Sequence, residues 1–595
     1  MPRLLSTALS LRQDPRVLKA PPYISFICIL VGFAWLLMLP LDEYSRRTYI
    51  SENALLPGQV HTYFGGSEEN VLRAYREEVD TLRDADNYSI NNHVEVMLKN
   101  IGLKVGRQNY TYHSAGEVLN GENVYGILQA PRGDATEAIV LVAAWKNTAD
   151  AVNRNGVALA MTLARYFKRW SLWSKDIILV IPPDSKSGTQ AWVDAYHDAH
   201  DPNKVAPLPI KSGALQGALA IDYPFDNKFE SLHIVYDGTN GQLPNLDLIN
   251  SIVNIAGGQM GIDTGIQDLE KHANNYQDRL QTIFRGMLRQ GLGYSTGPHS
   301  CFIPYHVDAV TLQPRGEGWH DEMAMGRVVE GTFRSLNNLL EHLHQSFFFY
   351  LLMHKDRFVS IGTYLPSAML LAANFSIMAI FLWVKSGQPP APLKEKDFKS
   401  KSATRGVSIS TPAVERDLFL PCAVVVLGHA LSTIPLYLFN NLSAKTLAPA
   451  FTVFTVASAA LPVAASLVLS CYKPTVQQYQ LIKSFSLLFL GMSLATLATL
   501  NFSLAFLVGI VCSPLSFVQS STNPFLRWTL AGIMSIVSPA TLLQVICQIT
   551  GISAESILTE ASFGWDVWGM YTPVVIWCVW WPAWLIGMIN VLGTA

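Results

Sequence analysis

The side chains able to do chemistry are few, and most lie between positions 222 and 321. Gly293-Tyr294-Ser295-Thr296-Gly297 matches the Gly-x-Ser-x-Gly spacing of a nucleophile elbow. An elbow needs a strand before the serine and a helix after it. A polar helix end precedes this match and Pro298 follows at once, so it reads as a glycine-rich loop. Cys301 has His299 and His306 close in sequence, and a Cys–His pair could form an acyl-enzyme. Histidines so near in sequence seldom reach the thiol in working geometry, and packing is the simpler role for Cys301. Asp222, after the apolar Leu219-Ala220-Ile221, and His320, in Gly318-Trp319-His320-Asp321, are donors a metal could use. Zinc takes four N, S or O ligands, or three plus water, and one carboxylate with one imidazole falls short. No C-x-x-C pair occurs, so neither a zinc ribbon nor a disulfide framework is available. We therefore expect no metal and no cofactor.

The distribution of charge divides the chain that must position these residues. Only 15% of the 595 residues are charged, against about 25% in soluble proteins. Residues 418–595 hold just seven charged side chains, too few to cover a soluble domain of that size. A net charge of −2 gives no sign of a nucleic-acid surface. A bilayer core takes about 20 apolar residues in helix. Candidate spans are Tyr23–Leu39, Ile361–Val384, Leu418–Phe439, Leu447–Ser470, Ser484–Phe517, Leu526–Thr550 and Trp568–Leu592. Ser484–Phe517 is too long for one span and divides at Asn501-Phe502-Ser503, which makes eight helices. The first run ends in Leu39-Pro40-Leu41-Asp42-Glu43 without a small-x-small cleavage site, so it reads as an uncleaved anchor.

Lys/Arg bias sets the orientation. With a cytosolic N-terminus the cytosolic segments carry a net +9, against −2 on the opposite short loops. The expected layout is a cytosolic N-terminus 1–22, a first transmembrane helix 23–41, a luminal domain 42–359, a second helix 360–384, a cytosolic loop 385–417, and helices three to eight in 418–595. Asn87, Asn109 and Asn441 begin Asn-x-Ser/Thr sequons on the luminal side, where glycans could attach. Trp565, Trp568, Trp577, Trp580, Trp581 and Trp584 suit an interfacial belt or a lipid-packing groove.

Within 42–359, apolar runs of strand length alternate with helical patterns. Ala138–Ala144, Asp176–Ile181, Leu215–Ile221, Leu232–Val235 and Val307–Leu312 read as strands. Helices are expected near Asn155–Trp170, Leu246–Ala256, Asn274–Arg289 and Met323–Leu343, after two amphipathic segments at Glu68–Arg83 and Ile90–Ile101. Continuous apolar strands separated by helices imply an α/β domain with a mostly parallel sheet covered on both faces.

That layout resembles the zinc aminopeptidase family, which binds two metals at strand ends. The family's His-x-Asp after the first core strand falls on Ala144-Trp145-Lys146-Asn147, so Trp145 and Asn147 replace the ligands. Its bridging aspartate falls on Val152, and its Glu-Glu pair on Pro182-Pro183-Asp184. Asp222 and His320 are the two positions that survive. The resemblance implies a retained scaffold with its metal chemistry lost.

A second resemblance covers essentially the whole chain. The string Arg46-Arg47-Thr48-Tyr49-Ile50-Ser51-Glu52-Asn53-Ala54-Leu55-Leu56-Pro57-Gly58-Gln59-Val60 resembles the GPI-anchor attachment protein family, the large multi-spanning subunit of the GPI transamidase. This implies an endoplasmic reticulum complex that exchanges a C-terminal signal peptide for a glycolipid. Its implied partners are other transamidase subunits, including a caspase-like cysteine protease, the GPI glycolipid, and precursor proteins bearing the signal. This subunit would be non-catalytic and would present substrates. Two other readings remain: a membrane-anchored zinc-dependent aminopeptidase of the lumen, and a multi-span lipid transporter. Tyr49, Ser51, Glu52 and Asn53 are the expected positioning residues, at the lumen–membrane boundary. The simpler alternative is a capped turn, with Ser51 or Asn53 as the cap and Pro57 as its end.

Overall fold

The computed structural model describes residues 19–226, 228–269, 272–388 and 414–593. Most of the expected N-terminal segment 1–22, and the lysine-rich part of the loop 385–417, lie outside the described residues. In chain order the strands are β1 (Arg46–Arg47), β2 (Lys104–Ser114), β3 (Glu117–Leu128), β4 (Glu137–Val142), β5 (Asp176–Ile181) and β6 (Ala214–Ile221). They continue with β7 (Phe229–Val235), β8 (Asp263–Gly265), β9 (Ala309–His320), β10 (Tyr350–His354) and β11 (Arg357–Ser360).

Eight of them form one sheet in the order β2-β3-β5-β4-β6-β9-β7-β8. Its centre is parallel, β5 with β4, β4 with β6, and β6 with β9. Every residue of β5 is buried, as a strand covered on both faces requires. The helices Arg154–Lys168 and Glu322–Asn337 pack into the core cluster on one face, while Ser187–Tyr196 supplies the other. The domain is thus α/β around a mostly parallel mixed sheet.

Two features go beyond the expectation. The β2–β3 hairpin adds an antiparallel edge, turning at Ala115 and Gly116, both at positive φ (50° and 74°). Two such residues make the turn that matches the twist of a hairpin. The second is a small sheet, β1-β11-β10, in which Arg46 pairs with Phe358. β11 runs directly into the long helix Ile361–Ser386, so this sheet stands where the domain meets the membrane helices.

Among the described residues six helices are long and apolar enough to cross a membrane: Pro21–Met38, Ile361–Ser386, Phe419–Asn441, Ala444–Cys471, Val476–Leu500 and Thr572–Leu592. Pro524–Ser535 and Pro539–Thr550 make a seventh if this pair, bent by 59°, is one span. Six or seven helices among the described residues thus pass this test of length and composition, beside the eight expected. The division at Asn501 is present, its side chain accepting from Leu504 N at 2.9 Å to cap the next helix. That helix, Phe502–Phe517, is apolar but too short for the same test. Ile361–Ser386 is central, and a Cβ on Gly32 of the first span would lie 2.8 Å from its Ser367 carbonyl. Such close backbone approach through glycine is a common mode of membrane-helix packing.

The tryptophan cluster is not a belt. Trp577, Trp580, Trp581 and Trp584 are buried within the bundle. The indole N–H groups of Trp580, Trp581 and Trp584 donate to Val537 O, Ser458 Oγ and Met534 O at 2.9–3.0 Å. Buried indoles need such acceptors, and the bundle supplies them. Trp568 is not in the last span either. It ends a separate helix, Ala554–Trp568, and packs against the second sheet face.

The polar domain is fastened to one end of the bundle at several points. Ala444 N donates to Ala115 O at 2.7 Å. Asn501 Nδ2 donates to Asn240 O and Gln290 O at 2.9 and 2.8 Å. Lys186 Nζ meets Glu560 at 2.8 Å. The segments near 444, 501 and 560 therefore contact the large domain at the same end of the bundle.

Candidate functional site

In an open α/β sheet, ligands bind beyond the carboxyl ends of the parallel strands. β4, β6 and β9 bring Asn147, Asp222 and Gln313 together there. Asn147 Nδ2 donates to Asp222 Oδ1 at 3.1 Å, and Gln313 Nε2 donates to Asp222 Oδ2 at 2.8 Å. Both carboxylate oxygens are thus engaged by side-chain amides. Asn147 Oδ1 accepts from Ala149 N and Ala151 N at 3.0 Å, which fixes the amide with its nitrogen toward the acid. Burial raises the Asp222 carboxyl above the ordinary range, and the two amides act against that rise. Asn153, missed in the sequence, holds the strand ends in place. Its amide donates to Ala144 O and Ile221 O at 3.1 and 2.7 Å and accepts from Tyr223 N at 2.7 Å.

The other positions expected from the aminopeptidase resemblance serve packing and capping. Trp145 is a buried core residue, and half-buried Val152 packs against the same core. Asp184 caps the helix Ser187–Tyr196, accepting from Lys186 N at 2.8 Å and from Tyr110 Oη at 2.9 Å. His320 does not join Asp222. It pairs with Phe229, five strand positions from Ile234, the partner of Leu312 beside Asp222, which is roughly 16 Å along the sheet. Its ring is buried between Trp319 and Phe229, and burial lowers its pKa. Among the described residues no three His, Cys, Asp or Glu side chains converge where they could hold a metal ion. The donor set at Asp222 does not fit a dizinc centre.

Cys301 is fully buried, with Sγ 3.8 Å from Lys186 O. Burial, reinforced by Asp194 and Asp184, raises the thiol well above its ordinary value. His299 is engaged elsewhere, Nδ1 with Thr311 Oγ1 at 2.7 Å and Nε2 with Asp237 O at 3.1 Å. Its burial lowers its pKa to about 3. Ser295 donates to Gly297 O at 3.1 Å within a loop that follows a helix, which is not elbow geometry.

The segment 49–53 lies against the domain just past β1. Ser51 N and Glu52 N both donate to Asp247, at 3.0 and 2.8 Å, and Asn250 Nδ2 donates to Tyr49 O at 2.8 Å. The Tyr49 ring is exposed and tilts against Phe358 at 6.5 Å. A capped turn is present at Asn53–Leu55, but its cap is Glu52, whose Oε1 accepts from Ala54 N at 3.2 Å, and Pro57 opens a second turn. Among the sequons, Asn109 and Asn441 are exposed. Asn87 is bonded through both side-chain atoms to the Glu122 backbone, at 3.3 and 2.8 Å.

The Gaa1-like, GPI transamidase component family matches residues 120–588. The chain belongs to this family. The GPI transamidase component gaa1 of Schizosaccharomyces pombe is 33% identical over 530 residues, covering 87% of this chain and 85% of that protein. The GPI transamidase component GAA1 of Saccharomyces cerevisiae is 34% identical over 513 residues, covering 85% and 76%. Among solved structures, Fimbriiglobus ruber glutaminyl cyclase superposes with a TM-score of 0.32 at 13% identity, covering 47% of this chain and 97% of that one. The Legionella pneumophila LapA aminopeptidase gives 0.30 at 11% identity, covering 50% and 80%. The range matched by the Gaa1-like family begins after the Arg46–Val60 string, so family match and string rest on different residues.

Proposed function

We propose that this chain is a non-catalytic subunit of the GPI transamidase of the endoplasmic reticulum membrane. It holds the glycolipid and the precursor protein near a thiol supplied by a caspase-like cysteine protease subunit. Membership of the Gaa1-like family over most of the chain is the observation that carries this reading. The site supports the non-catalytic part, since Asp222 is held by Asn147 and Gln313, and Cys301 is buried away from any base. Presentation alone is a substantial contribution, because correct placement of reactants can remove about 7–11 kcal/mol from a barrier.

In this arrangement the large domain is luminal, both termini are cytosolic, and exposed Asn109 and Asn441 are the better glycan acceptors. Tyr49, Ser51, Glu52 and Asn53 contribute at the domain–membrane boundary. The exposed ring of Tyr49 and the side chain of Asn53 face outward, while the segment's backbone is tied to Asp247. Mild-detergent purification from native membranes should recover the protease subunit with this chain. A triple variant, Asp222→Asn, His320→Gln and Cys301→Ser, should assemble and give anchored product at the wild-type level per complex. Loss of product from a normally assembled triple variant overturns the non-catalytic reading.

A further inference from the structure

Where the polar domain meets the membrane helices, a cavity of about 390 Å³ opens between the loops at 240–243, 303–308 and 348–351 and the helix ends at Tyr364, 498–502 and Tyr571. This lies within the ~300–1,000 Å³ range of small-molecule sites. Neither lysine nor arginine lines it. Asp308 does, only 7% exposed. Asp308 Oδ1 accepts from Asn245 N at 2.6 Å, and Oδ2 has no hydrogen-bond partner among the described residues. A buried charge is costly unless it is paired, and among the described residues the lining offers it no lysine or arginine, only the imidazole of His306. Burial, with nearby Asp247, raises the carboxyl to about 7. Phe348 and Phe349 bring two aromatic rings to the lining.

A second space adjoins the first at Leu500. A mostly apolar groove of about 410 Å³ runs between the helix Val476–Leu500 and the last span, lined by Phe489, Met492, Leu497, Leu500, Val575 and Val579 with the hydroxyl residues Ser493 and Thr496. Leu500 lines both spaces. Val575 and Val579 lie on a π-helical turn, Val575–Trp580, between Pro573 and Pro582. Such turns recur at functional sites. A half-satisfied acid at the boundary, above an apolar channel among membrane helices, is complementary to one kind of molecule.

We propose that the cavity and groove form a binding site for a zwitterionic membrane phospholipid with a primary-ammonium headgroup, the ammonium donating to Asp308 and an acyl chain lying along the groove. The free carboxylate oxygen calls for an N–H donor, which a trimethylammonium lacks. An anionic headgroup would meet Asp308 without any lysine or arginine to offset it. The rings of Phe348 and Phe349 add cation–π attraction. A space of this size takes a small headgroup and not an oligosaccharide, so the occupant is an ordinary bilayer aminophospholipid. The site stands apart from substrate presentation, and its test measures bound lipid and not anchored product.

The test is lipid retention by the full chain, purified with its accompanying subunits, delipidated and returned to nanodiscs. Phosphatidylethanolamine, phosphatidylcholine and phosphatidylglycerol of identical chains are supplied in turn, and bound lipid on this chain is counted by native mass spectrometry. Phosphatidylethanolamine should be retained at least fivefold better than either of the others. Asp308→Asn should lower it to the phosphatidylglycerol level, and Leu500→Trp, which fills the groove, should lower it with Asp308 intact. Equal retention of the three headgroups overturns the proposal, as does retention unchanged in both variants. The headgroup comparison uses the native protein, so it decides the matter even if a variant fails to fold.

Discussion

Asp222 and Asp308 stand at opposite ends of the same paired stretch, where Ala218–Ile221 of β6 runs beside Ala309–Leu312 of β9. Both are buried. The first has an amide on each oxygen, from Asn147 and Gln313. The second has one backbone partner and lines the cavity at the membrane helices. A carboxylate whose acceptors are filled by its own chain has become part of the scaffold. One left half-filled beside open space still has affinity to offer. At the strand ends where an α/β sheet usually holds its ligand Asp222 is engaged by its own chain, and the cavity lined by Asp308 lies at the other end of this stretch, against the apolar helices.

Removing the filled acid should have the larger effect on folding. Asp222→Ala leaves the half-buried amides of Asn147 and Gln313 without their acceptor, each costing up to about 1–3 kcal/mol, and opens a cavity beside them. We expect roughly 4 kcal/mol of destabilisation, read as a lowered thermal midpoint of the purified complex, with Asp222→Asn recovering about half. Asp308→Ala orphans only the Asn245 N–H and should cost about 1–3 kcal/mol. If Asp308→Ala proves the more damaging, the contrast between a structural acid and an available one fails.

The pH dependence sharpens the same contrast. The Asp308 carboxyl sits near 7 in the folded protein and near 3.9 when unfolded. Between these values the native state holds the proton more tightly, so the unfolded state binds fewer protons and stability falls as pH rises. The contribution is fully present below about pH 4, declines toward pH 7 and is constant above. Asp308→Asn should flatten that decline, by on the order of 2–3 kcal/mol across the window. Denaturation midpoints at pH 4.5, 5.5, 6.5 and 7.5 measure it. Parallel profiles for wild type and variant would mean that solvent in the cavity already satisfies the acid.

Much of the sheet was legible because β4, β5 and β6 are continuous apolar runs, a pattern that needs no partner to interpret. The β2–β3 hairpin was not, since an edge hairpin with one solvated face gives only weak alternation. At Trp145, Asn147 and Val152 the departure from the aminopeptidase ligand pattern was legible from residue type alone. The place of His320 was not legible, because sequence gives no register: it lies eight residues along β9 from Leu312, and even with the bulge its partner Phe229 stands five strand positions from Ile234, the partner of Leu312. The amides of Gln313 and Asn153 carry no signal apart from the strands they join. The same holds for Asp308, an ordinary aspartate before a strand until the membrane helices close over it.

The 49–53 segment gives a smaller, separable effect. Glu52→Ala removes a side-chain cap, worth about 1 kcal/mol, and should lower the amount of complex modestly. Tyr49→Ala and Asn53→Ala break none of the hydrogen bonds that hold the segment, which run through Ser51 N, Glu52 N and Tyr49 O. Complex level should therefore hold in both, and product per assembled complex should fall severalfold if the outward side chains position a substrate. Wild-type product per complex in all three variants would reduce the segment to a folded strap.

The smallest expected effect is at Cys301. A thiolate nucleophile needs exposure, a lowered pKa and a base within reach. Cys301 is fully buried, and its thiol is held well above the ordinary value by burial and by Asp194 and Asp184. The neighbouring His299 spends both ring nitrogens on Thr311 and the Asp237 carbonyl. Serine is nearly isosteric, and its hydroxyl can keep the contact with Lys186 O that the thiol makes at 3.8 Å. Cys301→Ser should thus cost no more than about 1 kcal/mol, as a slightly more polar group in an apolar cluster. Product per assembled complex should match wild type, and a thiol-alkylating reagent applied to the native complex should leave Cys301 unmodified by peptide mass mapping. A variant that assembles normally but makes no product, together with alkylation at Cys301, would return a nucleophile to this chain and erase the division of labour with the protease subunit.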